Sequence, residues 1–164
     1  MKGKIMAEKK NEEVLELAVQ EETAIAEQPS VGGFATEIMT RVATEGHYAS
    51  FDTSTDEGKM DVFNAMNDAE ILTVGEVIEV KNLVISPAQV RDTETGEMKT
   101  LPAVTLITPM GEMYRSTSSG VVKTAINLLS TFGVDGRLNR TLKVVAKEID
   151  LPGGRRYKKL SVVK

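Results

Sequence analysis

Apolar residues between positions 34 and 69 recur at the spacing of helices. In "FATEIMTRVATEGH" they predict a short helix that ends near Gly46, with an apolar side formed by Phe34, Ile38 and Val42. The stretch "VGG" at 31–33 reads as a linker before it. In "FDTSTDEGKMDVFNAMNDAE", Ser, Thr and Asp residues can cap a helix and acidic residues occupy its first turn. Its apolar residues predict a second helix over 56–69; they are Met60, Val62, Phe63 and Met66.

After residue 72 the pattern becomes strand-like, because Val and Ile are enriched and turn residues separate short apolar runs. "TVGEVIEVKNLVIS", "TLPAVTLIT" and "MYRSTS" predict three strands, joined by the turn sequences "DTETGE" and "PMGE". "SSGVVKTAINLLSTFG" predicts a helix that Ser118 or Ser119 caps and Gly133 ends. "RTLKVVAKEI" and "RRYKKLSVV" predict two further strands on either side of the turn "DLPGG".

Three strands, a helix and two strands is the chain order of an OB-fold. The predicted fold is therefore mainly β with α: an OB-fold-like five-stranded Greek-key barrel, with a helix between strands 3 and 4 and an extra N-terminal helix. Residues 34–164 are expected to form this domain. Residues 1–33 are Glu-rich with few large apolar residues, which predicts an acidic extension that is disordered or loosely helical.

Charge is distributed unevenly along the 164 residues, whose net charge is −4. Residues 1–50 carry five Lys and Arg against nine Glu, and residues 51–112 carry four against twelve Asp and Glu. Residues 113–164 carry eleven against three, a net of +8. This asymmetry favours contact between the last segment and a polyanion, although the segments could instead neutralise each other in the fold.

Strand alternation sorts the residues of the basic end into two faces. On the fourth strand, Lys143, Val145 and Lys147 share a face, and Leu142, Val144 and Ala146 share the other. On the last strand, Arg155, Tyr157 and Lys159 share a face, and Arg156 and Lys158 lie on that of Leu160 and Val162.

Cations that follow phosphates beside an aromatic ring that stacks on a base are typical of proteins that bind single strands. Two plainer interpretations stay open: a Lys- and Arg-rich strand can protect a sheet edge, and a strand Tyr can be half-buried packing. The predicted nucleic-acid-binding residues are Tyr114, Arg115, Lys123, Lys143, Lys147, Arg155, Arg156, Tyr157, Lys158 and Lys159, with Arg137 and Arg140 extending the positive surface.

The motifs of catalysis and cofactor binding are missing from this sequence. It has no Cys and one His, which excludes thiolate zinc sites and multi-His metal centres, and no phosphate-binding glycine motif is complete. A metal-dependent nuclease built on Asp52, Asp56, Glu57 and Asp61 is a weak alternative, because carboxylates are favourable at a helix N-terminus anyway. We expect no enzyme activity, cofactor or metal. No apolar run approaches the roughly 20 residues of a membrane span, which favours a cytoplasmic protein.

Several stretches resemble the small single-stranded DNA-binding proteins of phages and mobile elements of Gram-positive bacteria. They are "FDTSTDEGKMDVFNAMNDAE", "VGEVIEVKNLVIS", "DTETGE", "TPMGEMYRSTSSGVVKTAINLLSTFG" and "RRYKKLSVV", and the similarity covers about residues 50 to 163. The resemblance implies an OB-like domain, without a cofactor, that coats single-stranded DNA during replication or transfer. Such proteins often have an acidic C-terminal tail, whereas this chain is acidic at its N-terminus and basic at its C-terminus.

The expected function is non-catalytic, sequence-tolerant binding of single-stranded DNA that protects or organises it in phage or mobile-element DNA replication, in the cytoplasm of a bacterial host. Replication proteins are possible partners through the acidic N-terminal extension. The alternative is an accessory protein–protein interaction module without nucleic-acid binding. The sequence leaves the oligomeric state open.

Overall fold

The computed structural model describes residues 29–164, with side chains from residue 33 onward. By its internal contacts the chain divides into residues 1–37 and residues 38–164, and all the strands described below lie in the second unit. The acidic extension predicted for residues 1–33 lies mostly outside the described residues, and its boundary with the domain at residue 34 stays a prediction.

The described residues form three helices, ten strands and one 3₁₀ turn. The helices are α1 (Pro29–Glu45), α2 (Asp56–Asn67) and α3 (Ser119–Phe132). The longer strands are β3 (Val77–Val80), β4 (Asn82–Arg91), β5 (Met98–Ile107), β6 (Met113–Ser116), β9 (Leu142–Asp150) and β10 (Arg156–Val162). The two-residue strands are β1 (Tyr48–Ala49), β2 (Glu70–Ile71), β7 (Gly133–Val134) and β8 (Arg137–Leu138), and the 3₁₀ turn is Pro152–Gly154.

The strands form two main sheets and a small hairpin. The first sheet has the order β1-β4-β5-β6-β2, with antiparallel neighbours except for the parallel pair β6–β2. The second sheet is antiparallel with the order β10-β9-β3, and β7 pairs with β8. The mixed α and β composition, and the helix between the third and fourth predicted strands, agree with the expectation from sequence.

The stretch "TVGEVIEVKNLVIS" forms two strands in different sheets, so the single strand predicted for it is wrong. β3 alternates between exposed and buried residues, as a strand with one solvent face does. Lys81 separates the two strands, and in β4 the four residues Leu83–Ser86 are all buried, as in a strand covered on both faces. The change of burial pattern therefore marks the point where the chain passes from one sheet to the other.

The strands do not close into the predicted barrel: within residues 29–164, β6 and β10 are not paired with each other. The outer edge of β10 is covered by α3 instead. The Thr124 hydroxyl of α3 accepts a hydrogen bond of 2.9 Å from the Leu160 N–H. Gly120 is buried where a Cβ would collide with the Lys158 carbonyl oxygen and lie 2.7 Å from the Tyr157 ring. The missing side chain is thus what lets α3 pack against this strand edge.

Two helix predictions differ from the structure at their ends. α1 begins at Pro29 and runs through 31–33, so the linker predicted for "VGG" is wrong. Proline suits the first turn of a helix, where its missing N–H costs no hydrogen bond, and the buried Ile38 and Val42 fix the C-terminal half of α1. α2 begins at Asp56 as predicted, with the Thr55 hydroxyl accepting from the Gly58 N–H at 3.0 Å, and ends two residues early at Asn67.

The turn between β4 and β5 is where the sequence "DTETGE" predicts it. The Asp92 carboxylate accepts hydrogen bonds from the N–H groups of Glu94 and Thr95, and Lys99 lies 3.2 Å away. These contacts, the Glu94 bond first, hold the pKa of Asp92 below its ordinary value. Gly96, with φ +77°, closes the turn in a conformation that favours glycine.

Candidate nucleic-acid interface

The β9–β10 hairpin carries most of the predicted binding residues, and its register fixes which side chains are neighbours. The turn Pro152–Gly154 joins the two strands, and both Gly153 and Gly154 have positive φ, which matches the predicted "DLPGG" turn. The cross-strand pairs include Tyr157 with Ile149, Lys158 with Glu148, and Lys159 with Lys147. The alternation predicted from sequence is confirmed for β9, because Leu142, Val144 and Ala146 are buried and their neighbours are not.

The face of this sheet that points away from the core collects cations; we call it the open basic face. It consists of Lys143, Lys147, Arg155, Tyr157 and Lys159. Within the described residues no ion pair engages these four cations, and the one carboxylate directly opposite any of them is that of Glu79, paired in register with Lys143. The positive charge of this face is therefore left largely available to a ligand.

Lys147 and Lys159 lie directly opposite each other on β9 and β10. Directly opposite residues of an antiparallel pair have Cβ atoms about 4.5–5.5 Å apart, and like charges in that position destabilise the sheet. An anion placed over the two ammonium groups would relieve this repulsion. The pair is the feature of the open basic face that most directly indicates an anionic ligand.

Tyr157 stands between Arg155 and Lys159 on the open basic face and is half-buried. Its ring packs against the first turn of α3, where only a glycine at position 120 leaves room for it. The structure thus gives Tyr157 a packing role, while the partial exposure of the residue is compatible with contact to a base. Ile149, 38% exposed and opposite Tyr157, and the half-buried Val145 add apolar surface to the same face.

Lys123 extends the open basic face from α3. Successive residues of a helix are about 100° apart. With Gly120 directed at β10, Val121 turns toward the core side of the sheet, and Lys123 turns the opposite way, toward the side of Tyr157. Lys123 is half-buried, and its contribution to the same binding surface stays a prediction.

Arg156 and Lys158 lie on the other face of β10 from the open basic face. The Arg156 guanidinium is 3.4 Å from a Glu148 carboxylate oxygen and 3.6 Å from one of Asp150, so its charge is already partly balanced. Lys158 lies opposite Glu148 in the register and forms no ion pair within residues 33–164. The structure thus divides the predicted site between the two faces of one hairpin.

Arg156 and Lys158 line a cleft of about 610 Å³ between the two sheets; we call it the inter-sheet cleft. Its polar lining includes Arg115, Gln89 and the hydroxyl residues Ser116, Thr117 and Ser118. Its apolar lining includes Ile71, Leu72, Val74, Val90 and Val121. No local sequence pattern indicates this cleft, because the residues that line it come from segments far apart in the chain.

Arg115 has a structural task in this cleft. Its guanidinium donates to the Met66 carbonyl at 3.0 Å, and more weakly, at 3.4 Å, to the Ser86 hydroxyl and the Pro87 carbonyl. Its Nε is buried without a hydrogen-bond partner. Arg115 therefore ties the end of α2 to β4, and a contact with phosphate stays a prediction.

Tyr114 lies apart from the cations, in a pocket of about 330 Å³ lined by Asp68, Glu70 and Glu112. Its hydroxyl is 3.5 Å from a Glu112 carboxylate oxygen. Desolvation, followed by the carboxylates of Glu112, Glu76 and Glu70, raises the pKa of Tyr114. These negative surroundings are unfavourable for a phosphate backbone, so the structure does not bring Tyr114 together with the basic residues.

The oppositely charged segments do not neutralise each other through ion pairs in the part of the chain that the structure describes. Arg41 pairs with Glu45, Lys99 with Asp92, and Arg156 with Glu148 and Asp150, in each case within one of the three segments defined by charge. Among the described residues, therefore, no ion pair joins two of these segments.

The acidic residues at the start of α2 do not form a metal centre: residues 33–164 contain no group of three or more His, Asp or Glu side chains that could hold an ion. The Asp52 carboxylate accepts hydrogen bonds from the Ser54 hydroxyl and N–H, which lower the pKa of Asp52. None of the described helices is long and apolar enough to cross a membrane.

A protein-family model described as phage single-stranded DNA-binding protein matches residues 42–162, which is more than half of the chain. The match confirms the resemblance inferred from the sequence motifs. No curated protein and no solved structure matches the chain.

Proposed function

The chain belongs to the family of phage single-stranded DNA-binding proteins, and we propose that it binds single-stranded DNA on the open basic face. The observation that carries this proposal is the Lys147–Lys159 pair beside Tyr157 and Arg155, because the three cations have no ion-pair partner among the described residues. Phosphates of the strand would lie over these cations. A phosphate would attract both ammonium groups and would offset the repulsion between them that exists in the free protein.

Tyr157 is proposed to stack on one base of the bound strand. An aromatic side chain offers this contact to any base, because every base has a π-face, and the contact is worth about 1–3 kcal/mol. The packing of the ring against α3 fixes its orientation and so lowers the entropy that binding would otherwise cost. Phosphate contacts and stacking do not distinguish one sequence from another, and we therefore propose binding that tolerates sequence.

The proposed role is non-catalytic protection or organisation of single-stranded DNA in phage DNA replication, in the cytoplasm of the host. The acidic N-terminal extension is proposed to contact replication proteins. The domain is proposed to be an open variant of the OB-fold. This is supported by the corner between β3 and β4, which lets one continuous stretch of chain contribute to both sheets, and by the position of α3 between β6 and β9.

The proposal is tested by fluorescence anisotropy of a labelled oligo-dT with a variant that combines Arg155→Ala, Tyr157→Ala and Lys159→Ala. Loss of one stacking contact and two phosphate contacts should weaken binding by about tenfold or more. A matched control removes two cations and an exposed ring elsewhere, by Lys59→Ala, Phe63→Ala and Lys99→Ala. If both triple variants bind like the wild type, the open basic face is not the binding surface.

A further inference from the structure

The inter-sheet cleft lies against the back of the strand that carries the open basic face. Arg155, Tyr157 and Lys159 are on one side of β10, and Arg156 and Lys158, between them in sequence, are on the other. Only the short exposed turn Pro152–Gly154 separates the two faces at the end of the hairpin. A flexible strand bound on one face can therefore reach the other by passing around the hairpin end.

The chemistry of the cleft suits a nucleotide. Its volume of about 610 Å³ falls within the range of small-molecule sites, which is about 300–1,000 Å³. Its lining includes Lys158, a cation without an ion pair among the described residues, and Ser and Thr hydroxyls that can bind phosphate oxygens. The lining also includes apolar side chains that remain open to solvent: Ile71 is 85% exposed and Val74 is 41% exposed.

We propose that the inter-sheet cleft receives one nucleotide of the same DNA strand, with its base against Ile71 and Val74 and its phosphate near Lys158. This inference rests on the proposed function. The inference adds a second binding site to that function, in which a base packs against apolar side chains rather than stacking on an aromatic ring. The carboxylate of Glu148, which also lines the cleft and lies opposite Lys158 in the hairpin register, disfavours a second phosphate there.

The experiment fills the cleft without disturbing the core. Val74→Trp adds a large side chain at a solvent-exposed position of the cleft, and Val134→Trp adds the same side chain at the 57% exposed Val134, which does not line it. Binding of oligo-dT is measured over a series of lengths, from oligomers that span only the open basic face to ones long enough to enter both sites. Val74→Trp should weaken binding of the long oligomers by about fivefold or more and leave the short ones unchanged.

Two further measurements distinguish binding of a nucleotide in the cleft from a structural effect of the Val74→Trp substitution. Lys158→Gln should reduce the magnitude of the log–log salt slope by about 0.7 on long oligomers only, the amount expected for one phosphate contact on a single strand. A photoreactive p-benzoylphenylalanine at position 71 should crosslink to oligo-dT, and the same residue at position 134 should not.

Failure of this inference is distinguishable from failure of the proposed function. If the wild-type protein binds oligo-dT, but Val74→Trp and Lys158→Gln bind every length like the wild type and position 71 does not crosslink, the cleft takes no nucleotide. A cleft that serves a protein segment instead would give that same result and overturn the proposal. If the wild-type protein binds no single-stranded DNA, the proposed function itself is wrong.

Discussion

Lys159→Gln should stabilise the free protein and weaken its binding to DNA. In the free protein, Lys159 lies directly opposite Lys147, and no carboxylate pairs with either ammonium group among the described residues. Glutamine keeps most of the length of the side chain and removes the charge. Cross-strand pairs contribute about 0.2–1 kcal/mol, and we therefore expect a gain of that order in the free energy of unfolding.

The loss in DNA binding can be estimated from the phosphate contact that the variant gives up. One contact on a single strand changes the slope of log K against log salt by about 0.7. Over a fourfold rise in salt concentration, the affinity of the wild type should therefore fall about 2.6-fold more than that of the variant. Stability and affinity should thus change in opposite directions, which mere damage to the fold would not produce.

The assay combines urea denaturation of the free protein with anisotropy titrations of oligo-dT at several salt concentrations. Lys147→Gln should behave like Lys159→Gln. In the double variant the gain in stability should not double, because the same repulsion can be removed only once, whereas the changes in salt slope should add. Lys59→Gln, on the exposed surface of α2, is the control for loss of a lysine charge. A salt slope that stays at the wild-type value in all the Lys147 and Lys159 variants would refute the reasoning.

Three other predictions concern the framework of the site. Gly120→Ala should lower the free energy of unfolding by about 1–3 kcal/mol, because the added methyl group collides with the backbone of β10. The melting temperature should fall accordingly. An unchanged melting temperature would contradict the tight α3–β10 contact. Thr124→Val should cost about 1–3 kcal/mol in urea denaturation by leaving the Leu160 N–H without its acceptor, and faster hydrogen exchange at that amide would confirm the cause. Because the pKa of Asp92 is lowered in the folded state, the ionised carboxylate stabilises the β4–β5 turn at pH values above the ordinary pKa of the carboxyl. This stabilisation is lost as the pH falls through the lower, folded-state pKa. Amide exchange in this turn should therefore increase as the pH falls through that value, and not in an Asp92→Ala variant.

The helices and the order of the main strands could be predicted because their signals are local. α2 has a capping hydroxyl, acidic residues in its first turn and apolar residues at helical spacing within one short stretch. The same holds for the faces of β9, since alternation alone assigns Lys143 and Lys147 to one side. Prediction of the open basic face needed only this alternation and the position of the turn.

The division of "TVGEVIEVKNLVIS" into β3 and β4 was missed because a continuous apolar run fits one long strand as well as two. Which of its residues are buried depends on what covers each face of the two strands, and the sequence of this stretch alone does not show that. Likewise, the pattern placed Tyr114 next to Arg115, but could not show that Glu70 and Glu112 surround its hydroxyl. The carboxylates of Glu148 and Asp150, which balance Arg156, were visible in the sequence, and the hairpin register was needed to pair them.

The salt dependence of oligo-dT binding by the wild-type protein, measured by anisotropy with a duplex competitor, tests the central claim most directly. If Lys123, Lys143, Lys147, Arg155 and Lys159 each contact a phosphate, the log–log slope should be about −3.5 on oligomers that span only the open basic face, and the duplex should compete poorly. A slope near zero, or a duplex that displaces the oligo-dT at equal concentration, would contradict single-strand binding on the open basic face.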